Sequence, residues 1–442
     1  MLIFKPTLCH LLFAMMLTRF GKAQVTFDCY PCMERTQYEI KAIVHGTSDD
    51  PTWQRMHAAM RQAAQDMRVE FGMSFAGDDE KDTTGVYAKM AEQIRSLASA
   101  AHALVVTIPD DTVKAAVEEV IAGGTPVFGV QSGYEVAMPA GVSAFVGMDD
   151  TLAGKEAAKH FDQKAQNVIS RALFVRSGDD DAESTAFDRR FQGFVTGMKN
   201  GNETSGASVQ DLTWTKSASS LSSLKDCSFD AVLLGTDSLD LMMQTFTALE
   251  SCLNTKVGIF GTSVEIHQAV SGGKLAFAIS SQDYYQGAMS IVHAALYVST
   301  GKALSPSSES EYGMILSGPE VMTSSNAYTD TFQVCEADGF PVCPYELALD
   351  GTTPSQCACT DRKKLKIAGV LHAVTTDAFW DIVYTAANQA ADDFGVELEL
   401  DRMEPDTADV LHFKMAAQIE TLCEQGVDGI FVTSTYTTRW PL

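Results

Sequence analysis

The side chains best able to do chemistry are nine histidines, ten cysteines, four tryptophans and a large excess of acids over bases. Their spacing favours recognition over turnover. No G-x-S-x-G elbow, H-E-x-x-H pair, Walker loop or G-x-G-x-x-G fingerprint occurs, so acyl, metal-assisted, phosphoryl and hydride chemistry lack their usual motifs. The histidines are scattered. His45 and His372 end equivalent strands, where a histidine either reaches a site or hydrogen-bonds within the core. No catalytic residue, resident metal or cofactor is expected. Trp53 offers a flat aromatic face for an apolar surface, and Arg190 a fork of donors suited to hydroxyls or a carboxylate. Asp179, Asp180, Asp181 and Glu183 read as a solvated acidic loop rather than a calcium site.

Compartment is legible at the N-terminus. Lys5, the apolar run Leu8–Leu17 and the small-residue stretch Gly21–Ala23 make residues 1–23 read as a signal peptide. Its removal takes three cations and no acid from a chain already at −25. Such a surface repels phosphate backbones and anionic lipid, which excludes nucleic acid as a partner. After secretion, disulfides are the default reading of the cysteines. Zinc is the rival at Cys29/Cys32 with Cys357/Cys359, but no neighbouring histidine completes a site. Cys227 and Cys252 each precede a parallel strand and are predicted to bond to each other, while Cys423 has no evident partner. Asn202-Glu-Thr is a glycosylation sequon in a stretch read as a Gly- and Ser-rich loop.

The elements that must position these residues alternate. Strands are predicted at 40–44, 69–75, 103–107, 126–130, 172–175, 231–234, 257–260 and 275–279. Helical spacing lies between them at 52–69, 87–99, 113–121, 152–161, 186–198, 239–249 and 285–298. Continuous Val, Leu, Ile and Phe runs in the strands imply burial on both faces, the mark of an α/β fold with doubly wound parallel sheets. Part of this order then recurs. Ile40–His45 returns as Leu365–His372, Trp53 as Trp380, Met90–Leu97 as Met415–Leu422, and Ala103–Thr107 as Gly429–Thr433, at offsets of 325 to 327. Four matching elements with a rare tryptophan mark a partial second copy.

The first copy resembles the ribose- and galactose-type periplasmic binding proteins, the fold shared with the ligand domains of lactose-repressor-type regulators. The resemblance rests on Asp49–Trp53 after the first strand, Gly123–Phe128, Phe145–Asp150 with Ala153-Gly154, and Arg189–Phe194. Gly235-Thr-Asp237, Val257–Gly261 and Gly273–Ile279 complete it, in order and spacing. It implies a two-lobed fold with three crossovers, closing on ligand like a hinged clamp. The expected division is a signal peptide (1–23), a Cys-containing leader (24–37), a complete module (38–322), a Cys-rich linker (323–363) and the partial second module (364–442). Lobe one is expected over 38–147 and 282–310, and lobe two over 148–281 and 311–322.

Ligands of open α/β sheets bind where strands end, at switch points. That rule, together with the family's own positions, selects Asp50, Trp53, Gln131 and Ser132 from lobe one. It selects Arg190, Thr236, Asp237 and Ser263 from lobe two, and Ser281 and Gln282 at the second crossover. Helix capping is the competing role for Asp237, Thr236 and Ser263. An ion pair with Asp188 competes for Arg190, and helix packing for Trp53. Where sugar-binding relatives carry an Asp-Arg pair this chain has Gln131-Ser132, and Ser263 replaces another acid. Asp49, Asp50, Asp110, Asp149, Asp150, Asp179 and Asp283 at the mouth suit a neutral or cationic ligand.

The resulting expectation is a secreted or extracellular protein that binds a small, carbohydrate-like molecule. A membrane tether or a receptor partner beyond Leu442 would complete it. A structural spacer with a vestigial cleft is the alternative, and an enzyme of unfamiliar chemistry a third.

Overall fold

Strand β1 (Glu39–Val44) sends Ile43 to one side of its sheet and Ala42 and Val44 to the other, and each side meets a separate apolar cluster. The two-sided burial expected from the continuous apolar runs is therefore real, and it needs helices on both faces. The computed structural model describes residues 37–78, 82–164, 169–175, 184–205, 211–215, 221, 224–252, 254–301, 314–327, 365–372, 378–403 and 408–433. The stretch read as a signal peptide, nearly all of the expected leader, residues 328–363 of the expected linker and the acidic run 179–183 lie outside them.

The first sheet has the order β11-β5-β4-β3-β1-β2 and is parallel throughout. Its further strands are β2 (Glu70–Phe75), β3 (Ala103–Val106), β4 (Val127–Val130), β5 (Ala144–Met148) and β11 (Met314–Gly318). Helices α2 (Thr83–Leu97) and α3 (Asp111–Ala122) cover one face. Helices α1 (Pro51–Asp66) and α9 (Asp283–Thr300) cover the other, with Met56 and Met60 packed near Ile291 and Ala294. Between β4 and β5 lies the short helix α4 (Tyr134–Ala137).

The second sheet has the order β12-β10-β9-β8-β6-β7, and only β12 runs antiparallel to its neighbour. It is built from β6 (Arg171–Val175), β7 (Asp211–Thr215), β8 (Ala231–Leu234), β9 (Lys256–Phe260), β10 (Phe277–Ser280) and β12 (Glu320–Met322). On one face Phe161 of α5 (Asp150–Lys164) and Phe194 of α6 (Ser184–Ser205) pack on Phe174 and Phe277. Helices α7 (Leu239–Ala248) and α8 (Val264–Ser271) cover the other.

The chain passes between the sheets at 148–150, 280–283 and 318–320, which gives the three crossovers. One boundary is corrected. Residues 314–318, expected in lobe two, form β11 in the first sheet because Met314–Leu316 pair in register with Phe145–Gly147 of β5. Only β12 returns to the second sheet, after the cis Gly318–Pro319 bond. The sequon is also relocated. Asn202 lies on the last turns of α6, not in a loop, and the glycine-tolerant run Gly197–Gly201 continues the helix.

Cys227 and Cys252 are joined, with Cα atoms 5.2 Å apart. Each precedes one of the paired strands β8 and β9, so the bond sits at the N-terminal end of the sheet rather than at its lateral edge.

A separate unit contains β13 (Lys366–Leu371), α10 (Ala378–Phe394), β14 (Glu397–Arg402), α11 (Ala408–Glu424) and β15 (Gly429–Val432). Its parallel order, β14-β13-β15, is the order of β2-β1-β3. Here Phe431 and Val432 are exposed, whereas Val105 and Val106 are fully buried in the first unit. Cys423, exposed on α11, is a free thiol.

Candidate functional site

In each sheet the chain order reverses beside one strand, between β1 and β3 and between β6 and β8. Loops leaving the C-terminal ends of strands at such switch points diverge and open a crevice. The two crevices face each other, and a cavity of about 150 Å³ lies between them. His45, Asp50 and Trp53 follow β1, and Gln131 follows β4. Thr236 and Asp237 follow β8, Gly261 and Thr262 follow β9, and Ser281 and Asp283 follow β10; Arg190 reaches in from α6. Trp53 and Arg190, from different lobes, thus line one space.

Local geometry sets what each can offer. The Asp50 carboxylate caps α1, accepting from the Thr52 N–H at 2.8 Å, and still borders the cavity. His45 Nδ1 lies 2.9 Å from Thr107 Oγ1, and the ring meets Trp53 edge-on with centroids 5.1 Å apart. Trp53 is only 4% exposed, so it forms part of the wall and does not present the open stacking face expected of it. The second unit repeats this device: His372 pairs with Thr433, and Trp380 stands edge-on to His372 at 4.9 Å.

Arg190 does not pair with Asp188 as the competing reading supposed. Its Nε donates to Asp150 Oδ1 at 2.7 Å and an Nη to the Gly235 carbonyl at 3.1 Å, and the guanidinium lies over the Phe260 ring at 5.0 Å. Two of five N–H donors are thereby used. Burial pushes the Asp150 carboxyl up, and Arg190 beside it pulls the other way.

Asp237 is not a cap either. Ser238 caps α7 by accepting from the Leu241 N–H, which releases Asp237 to face the cleft. Gly261, at φ 130°, permits this: a side chain there would lie 2.2 Å from the Asp237 Cβ. Enclosure by the cleft walls, then the Asp283 and Asp50 carboxylates, push the Asp237 carboxyl above the ordinary range, against a pull from Arg55.

Two expected residues lie elsewhere. Ser263 caps α8, accepting from the Ile266 N–H and donating to Glu265, while its neighbour Thr262 takes the wall position. Gln282 sits at φ 56°, and its side chain turns to Glu320 at 2.9 Å. Ser281 does line the cavity, and its hydroxyl donates to Asp283. Ser132 lies in an adjoining cavity.

Sequence reasoning missed one feature outright. Arg55 and Asp283, 228 residues apart, form a buried ion pair at 2.9 Å that fixes α1 to the start of α9. No local pattern announces a pair so distant. Among the described residues no cluster of histidines, cysteines and acids could hold a metal.

The periplasmic binding protein domain matches residues 40–303. The chain belongs to the periplasmic binding protein family. That family is one of binding proteins rather than enzymes, and membership implies a periplasmic or extracellular setting. Among the described residues, no helix is long and apolar enough to cross a membrane. Three solved structures share the fold. A carbohydrate transporter from Acidothermus cellulolyticus in complex with myo-inositol is 20% identical, with 66% of this chain and 96% of that chain covered and a TM-score of 0.53. A periplasmic ribose ABC transporter from Conexibacter woesei is 17% identical, with 68% and 95% covered and a TM-score of 0.54. A LacI-type regulator from Bacteroides fragilis is 12% identical, with 66% and 98% covered and a TM-score of 0.53. No curated protein matches the chain.

Proposed function

We propose that this member of the family is an extracellular binding protein or receptor ectodomain that closes around a small, carbohydrate-like ligand. The observation that carries the reading is the convergence of Asp50, Trp53 and Gln131 from one lobe with Arg190, Thr236 and Asp237 from the other on a single cavity. Groups split between two hinged bodies contact one ligand fully only when the bodies close, so the ligand favours the closed state.

The chemistry of the lining selects the ligand class. With Arg190 balanced by Asp150 and Asp283 by Arg55, Asp50 and Asp237 are left as the cavity's excess acids. Carboxylate acceptors reward hydroxyl donors and repel anions. Trp53, Phe187 and Phe260 back the cavity wall and keep it apolar between the polar groups. The Acidothermus relative holds myo-inositol, a neutral polyol, which supports the same class here.

Small-angle scattering of the secreted full chain, with and without neutral sugars and polyols, tests this directly. Compaction together with a raised melting temperature for one ligand class is expected. Neither response with any of them would leave a spacer with an idle cleft as the better account.

A further inference from the structure

A second cavity of about 140 Å³ adjoins the first between the same lobes. Gln131, Met148, Arg190 and Ser281 belong to the walls of both, so these are two chambers of one cleft. A single water needs roughly 10–15 Å³, so the side chamber is no packing defect.

Its walls carry buried polar atoms with no partner among the described residues: Gln131 Oε1, Ser132 Oγ and Gln286 Oε1. Gln286 is 1% exposed. Its orientation is fixed because Nε2 donates to the Ser281 carbonyl at 2.8 Å; the turned amide would set oxygen against oxygen. Gln286 Oε1 is therefore an acceptor sealed in the wall, and leaving such a group unpaired is unfavourable. Asp150 stands in the same wall, and Glu135, paired with Arg189 across the cleft, closes the rim. The unpartnered acceptors call for a group that donates hydrogen bonds, and with Asp150 and Glu135 balanced by Arg190 and Arg189 the wall carries no net charge to favour an ion. Tyr134, half-buried in the same wall and backed edge-on by Phe145, supplies aromatic surface.

We infer that the side chamber holds a second hydroxyl-bearing unit of the ligand, making the bound class a neutral two-unit saccharide or glycosyl-polyol rather than a single ring. The inference rests on the carbohydrate-binding reading above. One unit occupies the chamber of Asp50 and Asp237, the linkage passes between Gln131 and Arg190, and the second unit donates to Gln286, Gln131 and Ser132.

Calorimetric titration of the full chain with glucose, galactose and myo-inositol, and with maltose, cellobiose, lactose, trehalose and melibiose, is the test. At least one disaccharide should bind ten-fold or more tightly than the single rings. Ser132→Ala and Gln286→Met should each shrink that ratio five-fold or more; Ser132→Ala makes no change at the crossover and guards against a folding defect in Gln286→Met. Binding of single rings with every disaccharide weaker would overturn the inference while leaving the binding reading intact, with ordered water as the occupant of the chamber. No binding by sugars of either size would overturn the carbohydrate reading and this inference with it.

Discussion

At the scale of single residues, Asp237 is the cavity carboxyl through which pH would act on the proposed ligand capture. A ligand hydroxyl donates more strongly to the carboxylate than to the neutral acid, whose own O–H needs an acceptor, so affinity falls as pH drops through the raised value. Titrations from pH 7 downward should show that loss beginning above the ordinary carboxylate range. Asp237→Asn should bind about ten-fold more weakly at pH 7 and lose the slope. His267 contributes a pH dependence of stability instead. Desolvation lowers its pKa to about 4, and its Nε2 lies 3.1 Å from Thr262 Oγ1. Between that value and the ordinary 6.5, the unfolded chain binds a proton that the folded one refuses. Stability is therefore full above about pH 6.5 and lost progressively toward pH 4. Denaturant midpoints across that window should fall less steeply in His267→Gln, with His57 and His293, also lowered by burial, supplying the remaining slope.

Most strand-end residues could be read before the structure because a βα loop delivers its first polar side chains to the crevice. Ser263 and Gln282 escaped for local reasons. Gly261 turns the chain at positive φ so that Thr262, one residue earlier, meets the cleft, and the left-handed Gln282 sends its side chain toward β12. Residue types do not encode these single-position offsets.

At the scale of elements, periodicity exposed the long helices and central strands, whose apolar runs are set by burial on both sides. It did not expose β5, although that strand has a neighbour on both flanks, nor β7, β11 and β12, which lie at the edges of the sheets with a neighbour on one flank only and pair with partners far away in sequence. Helices α5 and α6 illustrate what spacing alone cannot show. Gly193 lies so close to Thr151 that a Cβ would stand 2.0 Å from its carbonyl oxygen, and this approach sets Asp150 beside Arg190. Gly193→Ala should destabilise by about 1–3 kcal/mol in chemical denaturation and weaken ligand binding, by prising the helices apart. The Arg55–Asp283 pair ties α1 to α9 in the same way. Arg55→Met strands a buried carboxylate and should destabilise by about 3–5 kcal/mol, while Arg55→Met combined with Asp283→Leu should recover much of that loss.

At the scale of the whole molecule, the Glu135–Arg189 pair is a tie between the lobes that involves no ligand. Both partners are partly exposed, and such pairs are worth under about 1 kcal/mol. Glu135→Gln should therefore enlarge the unliganded radius of gyration in scattering and weaken binding about two- to five-fold, with the difference vanishing at high salt. The Cys227–Cys252 bond belongs to this scale too, for it fastens the ends of β8 and β9 from which the strands set out, a full strand length from Thr236, Asp237 and Thr262. Redox chemistry and ligand chemistry thus occupy opposite poles of the same pair of strands. A mild reductant should make the second lobe easier to melt while leaving the shape of the mouth unchanged, so the surroundings can tune how long the protein lasts without altering what it holds.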